Sequence, residues 1–302
     1  MQRARFGTLL TSILILFAGS ASASNSTLDK VRASGSLRLG YVAEARPFSY
    51  LDPSGKPTGY AVSLCQKVAD AVKADLKLPE LKIEFVRVGA EDRFDAVNQD
   101  RIDLLCTGGA PTVLRRGQVS FSIPVFLGGV GALLRKDAPA RMRELLEGRP
   151  EPYEPRWRAS LGQVLRGATF AVPRGSTAEG WLKEKIGELE IAATVEPVAD
   201  FASGVDAVVS RRADVLFGER EILLDAAKQS GAADDLVVLE RHFTYEGPAL
   251  ALARGDEDFR LLVDRALSRL FRSDEIVQIY TPIFGKPDAR ELGFLRMNAL
   301  SE

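Results

Sequence analysis

Apolar residues recur along this chain in two rhythms, and their alternation predicts the layout of its elements. Short apolar runs at Leu37–Val42, Leu81–Val88, Ile102–Cys106, Ala168–Val172, Val195–Val198 and Leu236–Leu239 read as strands. Between them the spacing turns helical. Val62, Leu64, Cys65, Val68, Ala69, Val72 and Leu76 line one face of a helix, and Phe259, Leu262, Val263, Ala266, Leu267 and Leu270 line another over Asp256–Arg272. Shorter helices are expected at Ser26–Gly35, Arg93–Gln99, Ser203–Ser210 and Asp274–Tyr280, the last followed by a Pro-Ile-Phe-Gly-Lys-Pro turn. Pro47–Tyr60 is dense in turn residues and predicts a hairpin-like excursion. Strand and helix units alternating at this length predict an α/β protein with largely parallel sheet.

The first residues interrupt that pattern. Arg3 and Arg5 precede an apolar run from Leu9 to Phe17, and Ala21-Ser22-Ala23 offers a small-residue cleavage site. The run is too short to span a bilayer comfortably, so it reads as an export leader of residues 1–23, cleaved near Ala23. No Cys follows it, so no lipid anchor is indicated. The expected location is periplasmic, where disulfides persist. Cys65 and Cys106 therefore either pair or remain as two buried thiols; spacing does not choose.

Composition narrows the chemistry. With 40 basic and 41 acidic residues the chain lacks the basic excess of a nucleic-acid binder. One His and two Cys leave little for a zinc site, and a Ser–His or Cys–His catalytic unit would have to use His242. Neither a metal nor another cofactor is expected.

The most informative stretch runs from Asp103 to Pro124. A buried strand ends in Gly108-Gly109, Thr112 is placed to cap a short helix, and Arg115 falls in its first turn. Backbone N–H groups at the loop and a guanidinium then converge, an arrangement suited to a carboxylate. A second strand–turn–helix, through Pro173-Arg174-Gly175-Ser176-Thr177, has the same character, with Trp181, Leu182 and Ile186 on its helix. Arg212–Glu219 puts an acidic residue at the end of a buried strand.

This order of pieces, with Gly108, Thr112, Arg115 and Phe121-Ser122-Ile123-Pro124, resembles the family-three extracytoplasmic solute-binding proteins of amino-acid ABC transporters, in particular their glutamate/aspartate-binding branch. The likeness runs from about Ser26 to Leu292. It implies a two-lobed periplasmic-binding-protein fold of type II, in which two crossing strands join α/β lobes around a ligand cleft. Residues 24–130 and 245–302 would form lobe one and 131–244 lobe two, with a Pro-rich excursion at 137–159 that is longer than the family usually has there. The implied ligand shell is Arg115, Thr112 and the backbone of Gly109 and Ala110 from lobe one. Lobe two would add Ser176, Thr177 and Glu219, the last receiving an ammonium group. Phe48 and Tyr50 are candidates to stack over the ligand, the alternative for either being to fill the core beneath the loop. The implied partners are a small zwitterion and an ABC transporter permease, with the protein itself a monomer.

Three positions depart from the pattern. Glu219 replaces an Asp, Val42 stands where the branch carries an Arg for a side-chain carboxylate, and Ala61 stands where many relatives carry an Asp. Arg46 is a possible substitute for the missing Arg. An acidic side chain without a cationic partner is costly to bury, so acidic amino acids are expected to bind poorly. Two other readings share the fold. One is a dehydratase of the cyclohexadienyl or arogenate type, with Glu44 or Glu219 as proton donor; the other is a sensory or interaction module whose excursion does the work.

Overall fold

The computed structural model describes residues 26–148 and 163–301. The expected leader and residues 149–159 of the Pro-rich excursion lie outside those residues. The chain opens with α1 (Thr27–Ser34), capped by the Ser26 hydroxyl and stopped by Gly35 in the left-handed region at φ 67°. Two five-stranded sheets follow. The first holds β1 (Ser36–Tyr41), β5 (Lys82–Arg87), β6 (Leu104–Gly109), β7 (Ser120–Phe121) and β13 (Ala249–Leu252), in the order β5-β1-β6-β13-β7. The second holds β8 (Val130–Arg135), β9 (Thr169–Pro173), β10 (Thr194–Val198), β11 (Val215–Glu219) and β12 (Leu236–Val238), in the order β10-β9-β11-β8-β12. In each sheet a parallel trio is joined by an antiparallel strand. Those strands, β8 and β13, are the ones that enter the sheet directly from the other lobe. The turn-rich excursion forms a small antiparallel sheet of β2 (Glu44–Ala45), β3 (Ser49–Leu51) and β4 (Pro57–Thr58).

Each sheet is covered by its own helices. Lobe one carries α2 (Tyr60–Leu76), α3 (Arg93–Asn98), the single turn α4 (Val113–Arg116) and α9 (Glu257–Arg272). Lobe two carries α5 (Ala140–Glu147), α6 (Thr177–Glu188), α7 (Phe201–Val209) and α8 (Arg220–Gln229). The apolar faces read from the sequence are the buried ones: Val62, Leu64, Val68 and Val72 of α2 meet Phe259, Val263 and Leu267 of α9 in one core. The two-lobed α/β class expected from the sequence is the class observed.

Where the chain crosses between the sheets, the Phe121-Ser122-Ile123-Pro124 segment is anchored. Buried Asp264 accepts the Ile123 N–H at 2.8 Å, and the Ser122 hydroxyl oxygen accepts the Leu250 N–H at 3.0 Å. The Tyr60 hydroxyl donates to the Val125 carbonyl at 2.8 Å. Beneath the crossing, Phe48, Tyr60, Phe126, Tyr280 and Phe284 form an aromatic cluster. This segment is the fixed end of the first connection, held by polar and aromatic contacts of lobe one.

The C-terminal part differs from expectation. The helix expected to end at Tyr280 continues as α10 (Glu275–Phe284) through Pro282. An interior proline costs a helix about 3 kcal/mol. Burial of Tyr280 and the packing of Ile283 and Phe284 on the core offset that cost. A further helix, α11 (Ala289–Asn298), follows where only a proline tail was read. Its signal was present in the sequence, since Asp288 and Glu291 form a capping box, each side chain accepting the other's backbone N–H at 2.8 and 2.7 Å. Helix α8, directly after Glu219, was also not expected; it buries only Leu223 and Ala227, too few positions to set up a clear rhythm.

Cys65 of α2 and Cys106 of β6 form a disulfide, which settles the alternative left open by spacing. It closes a loop of 41 residues between a helix and the strand that leads into the Gly108-Gly109 turn. By chain entropy such a loop contributes up to about 4 kcal/mol. The Cys65→Ala/Cys106→Ala variant should therefore unfold at lower denaturant concentration by about 2–4 kcal/mol in urea titrations, with ligand affinity largely kept.

Candidate functional site

The site begins at the end of β6. Gly108 takes φ 67°, and a Cβ there would be in van der Waals contact with the Phe48 ring at 3.5 Å, so the turn lies directly over the aromatic cluster. Phe48 is only 1 % exposed and supports the loop from below. Thr112 caps α4, its hydroxyl oxygen accepting the Arg115 N–H at 3.2 Å. That cap fixes where Arg115 leaves the backbone. Its guanidinium donates from Nη1 to the Ala110 carbonyl at 3.0 Å and from Nη2 to the Gly175 carbonyl, across in lobe two, at 3.4 Å.

Phe94 of α3 lies beneath this guanidinium, 5.6 Å from ring centroid to Arg115 Cζ, and beneath a second one, Arg93, at 4.7 Å. Burial, and the nearby Arg115 charge, push Arg93 down to about 10. Burial also lowers Arg115, partly offset by the Glu246 carboxylate. Among the described residues no carboxylate is within ion-pair distance of either guanidinium. Arg93 escaped the sequence reading because at that stage it was one more cation in a helix; only its side chain's place beside Arg115 marks it.

From lobe two, β9 ends at Pro173 and α6 starts with Ser176 as its cap, the hydroxyl oxygen accepting the Glu179 N–H at 3.2 Å. Thr177 faces the second crossing: its hydroxyl donates to Glu246 Oε2 at 3.2 Å. The two crossings pair as an antiparallel bridge at Gly128 and Glu246. Glu219, at the end of β11, reaches the first crossing, where Oε1 accepts the Gly129 N–H at 3.0 Å. Burial pushes the Glu219 carboxyl up to about 8 against that single hydrogen bond, and the charges of Glu246 and Glu221 add to the rise.

Arg115, steered by Thr112 and Ala110, thus reaches Gly175 in lobe two, and Thr177, next to the Ser176 cap, reaches Glu246 on the second crossing. Glu219 reaches Gly129 on the first, and Gly109 ends β6 opposite Ala249. Three other candidates stand apart. Val42 is 3 % exposed in a core with Val88, Ala96 and Phe121. Tyr50 lies under Arg46, 3.8 Å from guanidinium carbon to ring centroid, while Arg46 pairs with Asp225 of α8 at 3.0 Å. Arg46 is therefore committed to an ion pair between the lobes. Glu44 is exposed and paired with Arg87.

Comparison with known proteins fits this geometry. Residues 37–286 match the model of the bacterial extracellular solute-binding proteins, family 3. The chain belongs to that family. Among family relatives, the L-glutamate/L-aspartate-binding protein of Pseudomonas aeruginosa is 28% identical over 262 residues, covering 86% of this chain and 80% of the relative. Among solved structures, the cysteine-binding protein of Campylobacter jejuni superposes with a TM-score of 0.69 at 20% identity, covering 89% of this chain and 98% of the other. An ancestral amino acid-binding protein described as a precursor of cyclohexadienyl dehydratase superposes with a TM-score of 0.67 at 24% identity, covering 86% and 99%. These structural likenesses confirm the fold. Among the described residues no helix is long and apolar enough to cross a membrane, and no group of three or more His, Cys, Asp or Glu could hold a metal ion.

Two outcomes are expected of the crossing in this solute-binding protein. A Cβ at Gly129 would sit 2.0 Å from the Thr244 carbonyl oxygen, so Gly129→Ala should displace the paired crossings and lower the melting temperature by several degrees, about 2 kcal/mol or more. The second concerns pH. Glu219 rises from an ordinary 4.5 to about 8 in the fold, so the folded chain keeps a proton that the unfolded chain releases between those values. The stability from burying the neutral acid is complete below 4.5 and is lost as pH rises to about 8. Melting curves of ligand-free protein should show that decline, and Glu219→Gln should flatten it.

Proposed function

We propose that this chain is the extracytoplasmic receptor of an amino-acid ABC importer, taking one amino acid or related zwitterion between its lobes and presenting the closed form to a permease. The hinges lie near 130/131 and 244/245, and the mature protein acts as a monomer after cleavage near Ala23. The observation that carries this reading is Arg115: its guanidinium contacts carbonyls of both lobes and has no carboxylate in hydrogen-bond contact among the described residues. A ligand carboxylate is the partner it lacks. Such a ligand touches both lobes, so it binds the closed form better and shifts the hinge equilibrium.

Arg93 alters the expected selectivity. Val42 led to the expectation that acidic side chains would be poorly bound, but a second guanidinium beside Arg115 supplies what Val42 does not. Relatives named for glutamate and aspartate support the same view. The preferred ligand is therefore an amino acid with a second carboxylate, held by Arg93. A second reading rests on Glu219: a carboxyl kept protonated near neutral pH is a general acid, which a dehydratase would need.

Isothermal titration should find tight binding of L-glutamate or L-aspartate, weakened about 30- to 100-fold by Arg115→Ala. Arg93→Ala should lower affinity for the acidic ligands and spare neutral ones. Small-angle scattering should show compaction on binding. Absence of binding by any amino acid, or turnover of prephenate or arogenate, would overturn the receptor reading.

A further inference from the structure

We propose that Glu246, on the second crossing, receives the ligand's ammonium group, and that Glu219 instead ties strand β11 to the hinge. This rests on reading the cleft as an amino-acid site. Glu219 occupies the position where the family resemblance puts the ammonium acceptor, but its carboxyl is turned onto the first crossing. Oε1 takes the Gly129 N–H, and a Cβ on Gly128 would lie only 2.7 Å from that same oxygen. The extra methylene of Glu over Asp carries the group past the end of the strand and into the glycine pair. There, burial and two neighbouring carboxylates favour its uncharged form, which attracts an ammonium group weakly.

Glu246 is held differently. Two hydroxyl donors orient its carboxylate, Thr244 on Oε1 at 3.3 Å and Thr177 on Oε2 at 3.2 Å. Its backbone is fixed in turn by two bonds to Gly128, each of 2.9 Å. The groups that face it come from every side of the junction: Arg115 from α4, Thr177 from α6, Glu219 from β11 and the Gly128 backbone. His242, nearby on the same segment, is depressed by burial, Arg220 and Arg290, and so does not compete as a cation at neutral pH. Arg115 reaches the Gly175 carbonyl, and Thr177, two residues further on, reaches Glu246, so a guanidinium and a carboxyl group stand on the same turn, as the two ends of an amino acid require. Because Thr177 belongs to lobe two and Glu246 to the crossing, an ammonium bound here would also register closure.

The test compares L-glutamate with glutarate, which keeps both carboxylates and lacks the ammonium, by titration calorimetry on the mature chain. If calorimetry selects another amino acid, that ligand and its deaminated analogue are used. Wild type should prefer the amino acid about 30- to 100-fold. Glu246→Gln should abolish that preference while changing glutarate affinity by less than about threefold, a pattern that a merely structural role would not produce. Glu246→Asp, which keeps the charge, should retain most of the preference and guards against a Gln variant that misfolds. Glu219→Gln should keep it too. Loss of preference in Glu219→Gln with its retention in Glu246→Gln would overturn the assignment while leaving the receptor reading intact. No binding of any amino acid by wild type would overturn both.

Discussion

A guanidinium drawn half out of water is an unfinished interaction, and the architecture of this protein is arranged around one. Arg115 is held on two carbonyl oxygens, one from each lobe, which satisfy hydrogen-bond geometry without neutralising its charge. Arg93 shares the same aromatic support and the same deficit. Burial, and then repulsion between two cations over one ring, lower Arg93. In the proposed receptor reading, this is an electrostatic demand that a carboxylate-bearing molecule would meet. That demand gives the lobes a reason to close on a ligand of the right charge.

The rest of the junction keeps this demand addressed to the cleft. The cap at Thr112 and the disulfide one turn earlier fix the loop that carries Arg115. Phe48 and its aromatic neighbours fill the space beneath, so the loop rests on a rigid floor. The crossings, paired at Gly128 and Glu246, bring acidic groups to the same place without letting them form a direct ion pair with the arginines. Arg46 and Asp225 join the lobes at a separate point, leaving the arginines of the cleft uncommitted.

The departures from the family pattern acquire a physical account in this setting. Val42 is core, and a second guanidinium, Arg93 on α3, stands over the same ring as Arg115. Glu219, longer than the Asp it replaces, spends its extra length on the hinge glycines.

Periodicity alone determined most of the elements, because a helix or strand must turn an apolar face inward and that face is written in consecutive residues. Gly35, Thr112, Ser176 and Asp288 likewise mark their caps locally, since a cap bonds to a backbone group three or four residues away. The sequence did not reveal the run of α10 through Pro282, because burial of residues from distant segments decides that balance. It left open the pairing of Cys65 with Cys106, and passed over Arg93 and Glu246. Those are facts of juxtaposition: 41 positions separate the two cysteines, and 69 separate Thr177 from Glu246. A charge acquires its chemistry from what the fold packs beside it and how much water is left there, and neither quantity exists until the chain has closed on itself.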